Sequence, residues 1–251
     1  MTLDLKNTET VEQDSPANLP SLKLMAVKAV LFDFGDTLVT LSPAKEELFA
    51  SAARSVGLKL GPAAVKRAYQ IVDFHNKYSS VQIPNRDTFY ENYNEQVCEA
   101  LGISSYFGKL RPALTAQFKQ HKSWKLIEDA AEVLRRLHER GLPLALVANW
   151  DANLSSLAAQ LGIKHFFSVI VPSQEVGAEK PDPAIFQRTL DHLSLSAGTG
   201  QIVYVGNEYR ADVMGARAAG LIPVLIDRSG VYQHADCLRF SSLLEWLEAM
   251  E

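Results

Sequence analysis

The chain has 251 residues, 47% apolar and 22% charged, with a net charge of −4, which is the balance of a globular protein long enough to bury a sizeable core. The small acidic excess gives no electrostatic reason to expect a nucleic-acid partner. No apolar stretch is long enough to span a bilayer, and the N-terminus lacks the basic-then-apolar order of a secretory signal, so the expectation is a cytoplasmic protein with no membrane partner.

Residues 1–22 are polar and acidic, broken by Pro16 and Pro20, and read as a flexible arm. The run from Ala26 through Val30 into Leu31-Phe32-Asp33-Phe34-Gly35-Asp36-Thr37-Leu38-Val39 reads as a buried strand that ends in polar residues. In open α/β sheets, ligands bind at the carboxyl ends of such strands. Ser42-Pro43 then reads as a helix start, with Ser as cap and Pro in the first turn. Helical segments follow over Ala44–Val56, Pro62–Tyr78, Arg86–Leu101 and Tyr106–Gln120, punctuated by Gly57, Gly61, Pro84 and Gly102, with no strand expected between Leu41 and Ile127. That much helix is too long for one crossover, so residues 42–122 are expected to form an inserted helical domain. The core would then comprise residues 23–41 and 123–251.

Beyond Trp124, helix and strand alternate. Helices are expected over Asp129–Arg140, Asn153–Leu161, Pro183–His192, Ala211–Ala219 and Ser241–Met250. Strands are expected over Leu142–Ala148, Ser168–Val171, Gln201–Val205 and Ile222–Ile226. This rhythm predicts an α/β fold, a doubly wound parallel sheet of five main strands covered on both faces.

Three further polar clusters lie at or near strand ends. They are Ala148-Asn149-Trp150-Asp151, the run from Glu175-Val176-Gly177 through Lys180-Pro181-Asp182-Pro183 to Ile185-Phe186, and Gly206-Asn207-Glu208-Tyr209-Arg210-Ala211-Asp212 leading into Gly215-Ala216-Arg217-Ala218-Ala219-Gly220. Each has a plain structural reading when taken singly. Asn149 and Asp151 suit helix caps, Lys180 suits a solvated surface, and Asp212 suits a helix start. Trp150, Tyr209, Phe89, Tyr90 and Tyr93 read first as packing residues. Cys98 and Cys237 lack metal-ligand spacing and read as buried thiols, and the histidines form no cluster.

Together, and in this order, the four clusters resemble the motifs of the haloacid dehalogenase-like hydrolase superfamily, over residues 26 to about 228. The helical insert resembles that family's cap. The resemblance implies a Rossmann-like core and Asp33 as a nucleophile that takes the phosphoryl group as an aspartyl-phosphate, which water then hydrolyses. It also implies that Thr37 and Asn149 hold phosphoryl oxygens and that Lys180 neutralises charge. A Mg²⁺ would bind between Asp33, the Gly35 carbonyl and Asn207 or Asp212. The substrate so implied is a small phosphorylated metabolite. The physical need is plain, because a carboxylate approaches a dianionic phosphate only when cations screen the repulsion.

Three positions depart from that pattern. The residue two after the nucleophile, an aspartate in the family that serves as acid and base, is Gly35, and Asp36 beside it is the substitute candidate. General acid–base help is worth roughly 10²–10⁴ in rate, and its loss matters least for acyl or aryl phosphates. Ala148 removes a hydroxyl worth about 0.5–1.5 kcal/mol as a hydrogen bond. Asn207 replaces a charged metal ligand by an amide. Three readings stay open: a Mg²⁺-dependent phosphatase, a module that binds a phosphorylated ligand or partner without turnover, and a metal-free dehalogenase.

Overall fold

The computed structural model describes residues 26–76, 86–120, 123–198 and 201–251. The predicted arm, Pro84, His121 and the end of the helix predicted to run to Tyr78 lie outside the described residues. The first strand, β1 (Ala29–Phe32), has all its side chains buried, as a strand covered on both faces requires. A three-residue strand, β2 (Val39–Leu41), follows the Asp33–Leu38 turn. Helices α1 (Lys45–Ser55), α2 (Pro62–Asn76), α3 (Arg86–Ala100) and α4 (Phe107–Gln120) come next, and β3 (Trp124–Leu126) returns antiparallel to β2. The four helices share an apolar cluster of their own, centred on Phe49, Val65, Tyr69, Val72, Val97, Cys98, Leu110 and Leu114. The insert therefore carries a core distinct from that around the sheet.

The remaining chain alternates α5 (Ala130–Glu139), β4 (Leu144–Ala148), α6 (Leu154–Gln160), β5 (Val169–Pro172), a one-turn α7 (Ser173–Val176), α8 (Pro183–Leu193) and β6 (Ile202–Gly206). A π-helical turn over Tyr209–Met214 runs into α9 (Gly215–Ala218), followed by β7 (Ile222–Ile226), β8 (Leu238–Phe240) and α10 (Leu243–Met250). The strands form one parallel sheet in the order β5-β4-β1-β6-β7-β8. β1 lies at its centre, with Val30 level with Leu144 on one side and Val203 on the other. Because side chains alternate across a strand, Val30 and Phe32 pack with α5, α6 and α10 on one face, while Ala29 and Leu31 pack with α8 and α9 on the other. The chain switches from one side of β1 to the other between β5 and β6, which opens a crevice at the carboxyl ends of β4, β1 and β6.

Several expectations are corrected here. A strand does precede Ile127, since β3 pairs with β2 across the neck of the insert, and the sheet has six strands because β8 adds to β7. Both missed strands are only three residues long, too short for alternation to stand out. Ser42 does not cap α1. The helix begins after Ala44, whose N–H donates to the Glu47 carboxylate at 2.9 Å. By contrast Asp182 caps α8 through Ala184 N–H, with Pro183 in its first turn. Both cysteines are buried and unpaired, and burial pushes each thiol up to about 11. No helix among the described residues is long and apolar enough to cross a membrane.

Trp246 of α10 is fully buried and stands edge-on to Phe32, with ring centroids 6.1 Å apart. Trp246→Ala removes the largest side chain from the central cluster. It is expected to lower unfolding free energy by about 3–5 kcal/mol, measured by urea denaturation.

Candidate active site

The crevice is built around Lys180. Its side chain is 3% exposed, and Nζ donates to Asp33 Oδ1 at 2.6 Å, Asp212 Oδ1 at 2.7 Å and the Tyr204 hydroxyl at 2.8 Å. An ammonium has three donors, and all three are used. The Lys180 backbone is gripped by Asn149, whose Oδ1 accepts Lys180 N–H at 2.7 Å and whose Nδ2 donates to the Lys180 carbonyl at 3.0 Å. Asn149 thus uses its amide oxygen and one of its two amide hydrogens to place Lys180. Tyr204 was not singled out from sequence. The available signal was a hydroxyl-bearing aromatic within a strand otherwise apolar, since a buried phenol has to find a partner.

Asp212 occupies the first turn after β6. Its Oδ2 accepts the backbone N–H groups of Asn207 and Glu208, each at 2.9 Å, and its Oδ1 takes Lys180 and Tyr204. Such close packing needs glycine at the strand end, because a Cβ on Gly206 would lie 2.3 Å from Asp212 Cγ. Asp212 therefore anchors the lysine.

Asp33 Oδ2, the Gly35 carbonyl and the Asn207 side chain converge. Asn207 Oδ1 lies 3.2 Å from Asp33 Oδ2, 3.0 Å from the Gly35 oxygen and 3.0 Å from Thr37 Oγ1. Oxygens this close repel unless a proton or a cation lies among them. Rotating the amide would supply N–H donors, and a small divalent ion would serve equally. Octahedral Mg²⁺, with bonds of about 2.0–2.1 Å, sets neighbouring ligands about 3 Å apart, which is the spacing found. The donor set is hard oxygen only, and no group of three or more His, Cys, Asp or Glu among the described residues offers a softer site. The residues Asp33, Gly35 and Asn207 fit Mg²⁺ with the Asn207 oxygen turned toward the other two.

Thr37 is fully buried, and its single hydroxyl proton goes to Asp33 Oδ2 or Asn207 Oδ1, each 3.0 Å away. It orients the carboxylate. Asp36 has φ +56° on an exposed turn, and its Oδ1 accepts from Thr40 Oγ1 at 3.0 Å. Among the described residues it makes no hydrogen bond to Asp33, Thr37 or Lys180. The structure thus gathers Asp33, Gly35, Thr37, Lys180, Asn207 and Asp212, brings Asn149 in through the lysine backbone, and leaves Asp36 outside the network.

One buried ammonium serves two buried carboxylates, so the cluster is short of positive charge. Burial, with help from Asp212 and against the pull of Lys180, raises Asp33 to about 6. Burial opposes ionisation of Lys180, yet Asp212 and Asp33 outweigh it and hold the ammonium well above its usual range. Glu208, beside Asn207, rises to about 7 through desolvation and the charges of Asp212 and Asp33, with Lys180 opposing. Strongly shifted groups gathered at strand ends mark a functional site.

The haloacid dehalogenase-like hydrolase family matches residues 27–220. "Haloacid dehalogenase-like hydrolase domain-containing protein 3" of Danio rerio is 29% identical over 222 residues, covering 84% of this chain and 89% of that protein. "Glyceraldehyde 3-phosphate phosphatase" of Methanopyrus kandleri is 29% identical over 223 residues, covering 82% of this chain and 86% of that protein. Among solved structures, the HAD hydrolase YfnB of Bacillus subtilis, bound to magnesium, superposes with a TM-score of 0.65 at 18% identity, over 89% of this chain and 98% of that one.

Two outcomes follow from this geometry. Gly206→Ala forces the Asp212 carboxylate out of place, and it is expected to cost about 2–5 kcal/mol, read from urea midpoints. Asp33 titrates near 6 when folded against an ordinary 3.8, so between those values the folded state holds a proton that the unfolded state lacks. Stability then falls as pH rises through that window. In EDTA, Asp33→Asn is expected to remove the Asp33 share of the fall, leaving the share of Glu208 between its ordinary 4.5 and about 7, and to be more stable than the parent at pH 7 by roughly 1–3 kcal/mol.

Proposed function

We propose, on the premise that the chain belongs to the haloacid dehalogenase-like hydrolase family, that it is a Mg²⁺-dependent phosphatase acting on a small phosphorylated metabolite through Asp33. The observation that carries this reading is the contact of Asp33 with the buried ammonium of Lys180, beside oxygens that would suit a divalent ion. Its Oδ1 meets Lys180, while its Oδ2 joins the oxygens that suit a divalent ion. A carboxylate so placed can accept an incoming dianion. The relative named as a glyceraldehyde 3-phosphate phosphatase supports the reaction type.

The steps assign each residue its work. Asp33 attacks phosphorus, the bond from phosphorus to the leaving oxygen breaks, and an aspartyl-phosphate forms. Lys180, fixed by Asp212, Tyr204 and Asn149, keeps its charge throughout and offsets the charge gathering on the phosphoryl oxygens. Thr37 holds the carboxylate in one orientation. Magnesium, when bound, would neutralise a second share of the phosphoryl charge. Water then attacks the aspartyl-phosphate, freeing phosphate and restoring the carboxylate. The inserted helices would supply the surface that selects the rest of the substrate.

The test is phosphate release over a panel of phosphorylated metabolites, with and without Mg²⁺. Release is expected to need Mg²⁺, to stop in EDTA and to vanish in Asp33→Asn. Asn207→Ala is expected to raise the Mg²⁺ concentration for half-maximal rate about tenfold or more, equivalent to roughly 1.4 kcal/mol. Metal-independent halide release from a haloacid would favour the dehalogenase reading instead. Ligand-induced stabilisation without release of either product would favour the binding module.

A further inference from the structure

The position where a proton donor is missing is not open space. A Cβ built on Gly35 would lie 3.6 Å from Trp150 Cζ3, an ordinary van der Waals contact, so the indole bounds that position on one side. The indole is held firmly. Its Nε1 donates to Asn153 Oδ1 at 3.1 Å, and its ring stands edge-on to Phe34 at 5.2 Å and to Trp124 at 4.9 Å between centroids. Its backbone N–H is tied to Ser173 Oγ at 3.1 Å. Trp150 is half-buried and borders a hollow with Asp151, Ser173, Gln174 and Gly177, while its Cζ3 edge lies toward Gly35, whose carbonyl faces Asn207 with Asp33. The neighbouring carboxylate, Asp36, is engaged with Thr40 on the exposed side of the turn.

We propose that Trp150 fills the place of the missing acid and makes this a site for aryl phosphates, whose planar leaving group packs against the indole and departs without a proton. The inference rests on the phosphatase reading above and narrows its substrate class. An alkoxide is too basic to leave unassisted, so an alkyl ester suffers the full loss of general acid help, about 10²–10⁴ in rate. A phenoxide spreads the same electron pair over its ring and needs no donor. An aromatic leaving group also gains an offset or edge-on contact with the indole, the arrangement aromatic pairs prefer.

The electron and proton balance closes without a protein acid. A carboxylate oxygen of Asp33 forms a bond to phosphorus, and the phosphorus–phenol oxygen bond breaks with its electron pair on the phenolate, which leaves as the anion and is protonated in bulk water. In the second half, water adds to phosphorus, the bond to Asp33 breaks, and both protons of the water leave with the phosphate. No oxidant, reductant or further reactant is required.

The experiment uses the unaltered full chain with Mg²⁺ and compares kcat/KM for nitrophenyl, phenyl and alkyl phosphates, in order of rising leaving-group basicity. This ratio reports the steps up to departure of the leaving group, so slow hydrolysis of the aspartyl-phosphate does not mask it. The expected result is a steep fall along the series, about 10² or more from nitrophenyl to alkyl. A flat series would overturn the inference while leaving the phosphatase reading intact, and would point to proton donation by Glu208 or Asp36. No phosphate from any member, or from the metabolite panel, would overturn both. Two variants read the role of the ring. Trp150→Ala is expected to lower the nitrophenyl-to-alkyl ratio several-fold by removing the aromatic wall, and an unchanged ratio would overturn the packing role. Gly35→Asp combined with Trp150→Ala makes room for a donor and is expected to raise the alkyl-to-nitrophenyl ratio about 10-fold or more. A stable double variant without that rise would overturn the claim that the ring stands where the acid would.

Discussion

The site depends on a single buried ammonium shared between two carboxylates. Lys180 contacts Asp33 and Asp212 at hydrogen-bond distance while almost wholly removed from water. Burying charges is costly, and an ion pair inside a protein seldom recovers the cost of its own desolvation. Here the deficit is larger than for a simple pair, because two negative groups face one positive. A fold selected for stability alone gains little from such a cluster. Its arrangement makes sense when further positive charge arrives, as a divalent ion would bring it, and a phosphoryl group follows.

Much of the surrounding structure serves to keep that ammonium still. Asn149 clamps its backbone from the end of β4, Tyr204 reaches it from within β6, and Asp212 meets it from the turn beyond β6. Tyr204 is itself tied to the Val147 carbonyl. The lysine is thereby referenced to both strands that flank β1, the strand that carries Asp33. Gly206 permits the arrangement, since any side chain there would occupy the space of the Asp212 carboxylate.

The departures from the family pattern are related in space. Gly35 and Trp150 form a complementary small-and-large pair, and the indole rests on Phe34 and on Trp124 of β3. Trp124 belongs to the short ribbon at the neck of the helical insert, so the wall of the crevice is packed against the place where the insert joins the core. Asn207, though uncharged, places its side-chain amide where the Asp33 and Gly35 oxygens converge. A neutral ligand leaves the cluster's negative charge to Asp33, which burial already holds partly protonated near neutral pH.

The sequence alone was enough to establish the parallel α/β core, the helical insert and the positions of Asp33, Lys180, Asn207 and Asp212. Those features follow from local causes: apolar runs, helical periodicity, a proline and aspartate at a helix start, and polar residues at strand ends. The three-residue strands β3 and β8 escaped notice because they are too short to show a period. Residue types also misled where a side chain had more than one possible partner. Thr37, Asn149 and Asp212 each have a partner within the protein that the sequence did not announce: Asp33, the Lys180 backbone and the Lys180 ammonium. The same holds for Gly35, which read as an absence in the sequence and became a contact only when Trp150, more than a hundred residues away, was packed against it. Composition and spacing determine which groups a chain possesses, but hydrogen bonds and ring contacts are settled by distances that exist only after the strands have been ordered side by side.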